Sequence, residues 1–272
     1  MTSLFSSADF QQFIDGALSA LLGLGIAAMR TMGIALVFPV FTKAELGGVL
    51  RTGFALALGL PVMWHATESI AALGPHQSAQ LVLIAMKELM VGTLIGFMFG
   101  VPFWAIQAVG ELIDEQRGVT NEDATDAATR SQASSLSIFL GISAIAVFVT
   151  ADGMRILAGT LYDSYAIWPV TSFTPKLTLD SALSIARTLD HILGYALLVG
   201  GPVIALFLLL DLSVMLISRS APQLNAYDLP PTLKNVVFVV FIGIYATYLM
   251  DYMRGELAGT HGIKSQIERF LQ

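Results

Sequence analysis

Six long apolar runs constrain this chain more than anything else in its sequence. Segments rich in Leu, Ile, Val, Phe, Ala and Gly cover roughly 16–40, 52–73, 79–109, 132–157, 189–217 and 235–252. Runs of this length are those of helices that span or lie in a bilayer. Composition agrees, because 55% of the 272 residues are hydrophobic and only 12% are charged. An ordinary soluble domain carries roughly 25% charged residues, so a soluble enzyme of usual makeup and a disordered chain are excluded. The net charge of −6 argues against a nucleic-acid surface or a polybasic lipid-binding surface. With no cysteine there is no disulfide frame, thiolate metal site or cysteine nucleophile. Residues 1–15 hold Asp9 and Asp15 but no Lys or Arg, whereas a secretory signal opens on a basic region. The first apolar run therefore reads as a retained helix.

The runs are uneven. Residues 89–110 and 131–151 are free of charge and long enough for a ~30 Å hydrocarbon core. Residues 52–67 and 235–250 are free of charge for only 16 residues, about 24 Å of helix. Pro39, Pro61, Pro102 and Pro202 lie within or at the ends of runs. A proline removes a backbone donor, which at membrane depth requires neighbouring protein to satisfy the backbone. Short runs, prolines and inner charges together predict kinked helices packed on protein more than on lipid.

Between Gly110 and Ser134 the apolar pattern stops. Glu111, Asp114, Glu115, Glu122, Asp123 and Asp126 face only Arg117 and Arg130. Such a stretch does not belong in lipid, and the plain reading is a solvated loop. A second polar stretch, 155–187, carries Tyr162, Tyr165, Trp168 and Phe173 and reads as an interfacial connection, since Trp and Tyr favour the headgroup level. Lys and Arg divide evenly between alternate connections, so the positive-inside rule assigns no orientation.

Gly92, Gly96 and Gly100 form a ladder of small residues at spacing four, which predicts close approach of another helix backbone. Gly53 with Ala57, and Ala55 with Gly59, suggest the same on the second run. Arg30 sits near the middle of the first run, where a charge costs about 2.5–3.5 kcal/mol, and calls for a buried partner. Lys87 and Glu88 are consecutive, and neighbours do not face each other on a helix, so both read as ending in water at a segment entry. No Gly-x-Ser-x-Gly, His-Glu-x-x-His, Walker or Gly-x-Gly-x-x-Gly pattern is present, and His65, His76, His191 and His261 are scattered. The chain reads as no enzyme and as needing no cofactor or metal.

Three stretches carry a family resemblance. The string Arg30-Thr-Met-Gly-Ile-Ala-Leu-Val-Phe-Pro39-Val-Phe resembles the first helix of the type III secretion export-apparatus family SctT, whose flagellar counterpart is FliR. Gly110-Glu-Leu-Ile-Asp-Glu-Gln-Arg-Gly118 resembles the polar segment of the injectisome branch. Arg219, Pro222, Gln223, Asn225 and Lys234 match the family's Arg, Pro-Gln, Asn and Lys signature. The chain departs from the family pattern at Ala127, where a proline commonly follows Asp126, and at Ala226, where an aromatic is usual.

The resemblance implies an all-α membrane protein of about six kinked apolar helices arranged as helical hairpins in an export gate. Residues 1–188 would resemble SctR and carry the polar segment 110–134. Residues 189–272 would resemble the two-helix SctS hairpin plus a tail. The implied partners are SctR-like and SctS-like membrane proteins, SctU-like and SctV-like components, membrane lipid and the unfolded proteins in transit. The implied place is the bacterial inner membrane at the base of the secretion machine. Gly110, Glu111, Asp114, Glu115, Gln116, Arg117 and Gly118 would belong to a channel plug. Arg219, Pro222, Gln223, Asn225 and Lys234 would form the hairpin tip, with Arg219 and Lys234 at the two helix ends facing headgroups or a partner. Without the resemblance, intramembrane charges and kinked helices would favour a secondary transporter or channel for a small solute.

Overall fold

The computed structural model describes residues 7–43, 47–71, 78–118, 134–173, 179–220 and 229–258. Among these, every regular element is helical. Nine α-helices follow in order: α1 (Ser7–Val37), α2 (Pro39–Lys43), α3 (Gly48–Gly59), α4 (Met63–Ala71), α5 (Ser78–Arg117), α6 (Ser135–Thr150), α7 (Gly153–Ile167), α8 (Leu179–Ser220) and α9 (Leu229–Ala258). Five stretches are long and apolar enough to cross a membrane, and α6 with α7 would add a sixth as one broken span. The chain is thus an all-α protein of membrane-spanning character.

The prolines act in two ways. Pro39 opens α2 directly after α1 stops, and Pro61 lies in the 3-10 turn Leu60–Val62 that separates α3 from α4. Pro102 and Pro202 lie inside helices that continue through them. Those two helices are 40 and 42 residues long. At 1.5 Å per residue they reach about 60 Å, twice the hydrocarbon thickness.

Contacts divide the chain into two compact units. The first comprises Met1–Phe99, Arg155–Ala182 and Ile263–Gln272. Here α1 packs on α3 and α4, and on the first half of α5. A methyl group added to Gly92 would fall on the backbone of Arg30, and one on Gly96 would lie 2.9 Å from Ile34 Cα. Pairing of 30 with 92 and 34 with 96 makes α1 and α5 parallel. Gly33 returns the fit from the α1 side, against Leu89, Gly92 and Thr93. Gly100, the third rung, is buried. On α3 only one of the two small-residue pairs is used: Ala55 is fully buried and Gly59 meets the backbone of Ala27 and Ala28, while nothing lies near Gly53. Phe38 closes the end of this packing, edge-on to Phe41 and Phe99 at 5.9 and 6.2 Å between centroids.

The second unit comprises Gly100–Met154 and Leu183–Gly262. Phe103 on α5 meets Phe148 on α6 edge-on at 5.4 Å. Helices α8 and α9 are antiparallel: Tyr245 hydroxyl donates to Val199 carbonyl, Phe207 packs on Phe238, and Asp211 pairs with Lys234. Leu197, Leu209, Val239 and Ile244 remain exposed on this pair.

The stretch 155–187 is a difference from the sequence reading. Residues 155–167 belong to helix α7, 174–178 lie outside the described residues, and Trp168 is 4% exposed, packed within the chain. Its indole Nε1 donates to Ser172 carbonyl at 2.8 Å. Short length and mixed polarity hid the helix, whose Ser164 and Tyr165 bond protein partners.

The glycine contacts generate a paired prediction. Gly92→Ala forces two backbones apart, an overpacking cost of about 1–3 kcal/mol, and lowers the thermal midpoint in detergent. Gly53→Ala, in open space, leaves that midpoint unchanged or raised. Equal midpoints for the two variants would refute the backbone contact.

Candidate functional site

Two clusters of charge are built into the described helices, one in each unit. In the first unit the Arg30 guanidinium is wholly buried. Its Nε donates to Glu88 Oε2 at 2.6 Å, one amino group donates to Ser164 Oγ at 2.8 Å, and the other to Trp168 carbonyl at 3.0 Å. The guanidinium carbon lies 3.8 Å from the centre of the Tyr165 ring, whose hydroxyl donates to Ala27 carbonyl at 3.0 Å. Arg30 therefore joins α1 to α5 and α7.

Lys87 and Glu88 are not in water, which corrects the sequence reading. Glu88 is fully buried and Lys87 is 7% exposed. Lys87 Nζ donates to the carbonyls of Pro169, Val170 and Ser172 at 2.9, 2.9 and 3.2 Å. The same ammonium lies 2.7 Å from Glu88 Oε1. That contact is a buried ion pair between neighbouring residues. The rule that helix neighbours point apart holds for their Cβ atoms, but a lysine stem is long enough to bend its charge back.

In the second unit the polar strip that begins at Gly110 is helical through Arg117, extending α5 rather than opening a loop. Asp114 is 2% exposed. Its Oδ1 accepts from Arg117 at 2.7 Å, and its Oδ2 accepts from the backbone N–H of Leu136 at 3.0 Å. Leu136 lies in the first turn of α6, whose N–H groups lack partners within the helix and favour a negative charge. Ser134 caps the same end, its Oγ accepting from Ser137 N–H at 3.0 Å. Glu111 accepts from Ser137 Oγ at 3.3 Å, and a methyl group on Gly110 would collide with the backbone of Ser137.

The opposite side of the strip faces α9. Arg117 Nε donates to Asn235 Oδ1 at 3.0 Å, and its guanidinium carbon is 4.0 Å from the Phe238 ring centre. Lys234 Nζ donates to Gln116 carbonyl at 2.9 Å and pairs with Asp211 Oδ2 at 2.8 Å. Glu115 is exposed, and its carbonyl accepts from Gly118 N–H at 3.0 Å. Gly118 has φ +71°, the left-handed conformation that ends many helices and suits glycine.

The hairpin-tip residues divide. Pro222, Gln223 and Asn225 lie outside the described residues. Arg219 is exposed in the last turn of α8. Lys234 lies more than a turn inside α9 and is 8% exposed, so it faces protein of its own chain and not headgroups. Sequence reasoning did not single out Ser164, Asn235 or Asp211 as partners of these cations. Nothing in local spacing marks them, since the bonded residues are 134, 118 and 23 positions apart.

Removing one member of a buried pair costs about 3–5 kcal/mol, and replacing both by apolar groups is milder. Glu88→Gln therefore destabilises the protein by roughly that amount, read as a lower thermal midpoint. Arg30→Met combined with Glu88→Leu recovers part of the loss; a double variant as damaged as the single losses combined would contradict direct pairing.

The sequence matches the family described as bacterial export proteins, family 1, over residues 21–260. It is 30% identical over 227 residues to Yop proteins translocation protein T of Yersinia pestis, covering 82% of this chain and 85% of that protein. It is 28% identical over 227 residues to surface presentation of antigens protein SpaR of Salmonella typhimurium, covering 81% and 83%. It is 24% identical over 243 residues to flagellar biosynthetic protein FliR of Bacillus subtilis, covering 85% and 92%. With nearly all of its helical sequence inside that match, the chain belongs to the bacterial export proteins, family 1.

Proposed function

We propose that this chain is a structural subunit of the type III secretion export gate, helping to form and seal the channel through which unfolded proteins cross the bacterial inner membrane. The family match over residues 21–260 carries this reading. Translocation and secretion-apparatus proteins among the relatives support it. A small-solute transporter finds no support in that company. The chain's own work is mechanical, and the reading assigns it no catalytic residue.

SctR-like and SctS-like membrane proteins are the proposed neighbours, with SctU-like and SctV-like components beyond them. Residues 189–272 would serve as the SctS-like part, which the antiparallel pairing of α8 with α9 supports. Residues 1–188 would serve as the SctR-like part. The exposed Leu and Val side chains of α8 and α9 suit lipid or a neighbouring membrane helix.

Residues 110–134 are the proposed plug segment, of which 119–133 lie outside the described residues. Its first residues are tied to the start of α6, because Asp114 accepts from Leu136 N–H and Glu111 from Ser137 Oγ.

Native mass spectrometry of the tagged protein from its own membranes tests the assembly. One copy with several copies each of two other small membrane proteins is expected; a monomer or a symmetric homo-oligomer would overturn the reading. Deletion of 119–133, sparing the packed helix 110–118, is expected to raise resting ion leak through an assembled gate. Unchanged leak would leave the segment an ordinary loop.

A further inference from the structure

We infer that Gln107 is the hydrogen-bonding contact through which this chain holds a neighbouring membrane helix of the export gate. The inference rests on the gate reading above and names the side chain that meets the neighbour. Gln107 lies on α5 inside the charge-free stretch 89–110 and is 8% exposed. Its amide nitrogen is enclosed and has no hydrogen-bond partner. The polar side chains one and two turns further along the same face are bonded, Glu111 to Ser137 Oγ and Asp114 to Leu136 N–H. The amide lies over Gly141 of α6, where a methyl group would sit 2.5 Å from the nitrogen and 3.3 Å from Cγ and Cδ. Gly141 offers it space and no polar side chain. Around it the packing of α5 on α6 is apolar, with Phe103 edge-on to Phe148, and Leu140 and Ala144 buried.

A leucine or methionine would fill the same space with no amide to desolvate. An enclosed polar group without a bond costs about 1–3 kcal/mol, and at membrane depth water is too scarce to satisfy it. Taken alone, the chain is less stable for having a glutamine here. Glutamines in membranes hydrogen-bond across helices, and a partner from another chain would offset the cost. The side it comes from is set by α6. Ile142, next to Gly141, is 60% exposed, and Phe139 and Val149 stand on the same outer face at 60% and 51%. A helix laid along that face passes the Gly141 notch, and the soft terminal torsion of glutamine lets either end of the amide turn to it. The occupant is therefore a transmembrane helix with a hydroxyl or amide side chain set in an apolar face. Lipid tails carry no such group and would leave the amide unpaired.

The test compares the full chain alone in detergent with the same chain in the complex extracted from its own membranes. Gln107→Leu is expected to leave the thermal midpoint of the chain alone unchanged or raised. It is expected to lower recovery of the chain with its two partner membrane proteins by about threefold to thirtyfold, the worth of one hydrogen bond between membrane helices. Gln107→Met, which keeps the length and flexibility of the side chain, is expected to match it. A lowered midpoint for both variants would show that the amide is bonded within the chain, by an enclosed water for instance, and would refute the contact. Wild-type recovery of either variant also refutes it and leaves the gate reading intact. If the wild-type chain is itself recovered with no other membrane protein, the gate reading has failed and the contact falls with it. Should Gln107→Leu not accumulate, Gln107→Met decides by the same two measurements.

Discussion

A guanidinium inside an apolar helix packing must find its counter-charge within the chain, and here a missing side chain makes that possible. Gly92 brings the α5 backbone against Arg30 itself. Because α1 and α5 run parallel and helical side chains lean toward the N-terminus, the Arg30 side chain reaches back one turn along α5, to Glu88. A larger residue at position 92 would separate the helices by the width of a methyl group or more, and a 2.6 Å ion pair would not survive that displacement. The glycine ladder and the buried arginine are therefore one feature. The rest of the first unit is arranged around it, since α7 and the residue after it dock the Ser164 hydroxyl, Tyr165 ring and Trp168 carbonyl on the same guanidinium.

The helices were legible in the sequence because their signal is additive along the chain. Each apolar run became helix, and prolines at 39 and 61 fell where helices end. The need for a partner at Arg30 was equally legible, since the cost of a lone charge depends on its depth alone. Its identity was not. Glu88 lies 58 residues away, and a carboxylate beside a lysine looks the same on paper whether both are solvated or both are packed. Lys87 turned inward because of three carbonyls more than 80 positions later, just past the end of α7. The strip Gly110–Arg117 misled for a related reason. Its acid count suggested water, yet Asp114 and Arg117 at spacing three satisfy each other on one helix face.

What polar residues mark in this protein is where helices end, more than where water begins. Lys87 and Arg30 bind carbonyls at and beyond the C-terminus of α7, Lys234 binds a carbonyl in the last turn of α5, and Asp114 sits at the N-terminus of α6. Each charge has the sign that the helix end favours. A helix that stops within packed protein leaves up to four backbone groups unpaired at each end, and those groups cost free energy where water is scarce. A charged side chain in the same place carries its own desolvation cost. Brought together, each satisfies the other, and the chain can break its helices at interior points without exposing either.

That arrangement also fixes the register of one helix on another. A contact between apolar faces weakens gradually as helices slide, whereas a charge on a helix-end carbonyl is bonded in one register and lost in the next. The Arg30 cluster engages its neighbours through Glu88, Ser164 and Trp168 together, so no single displacement frees it. The end of α5 is held on its α9 side by two polar contacts, from adjacent residues that must move as one.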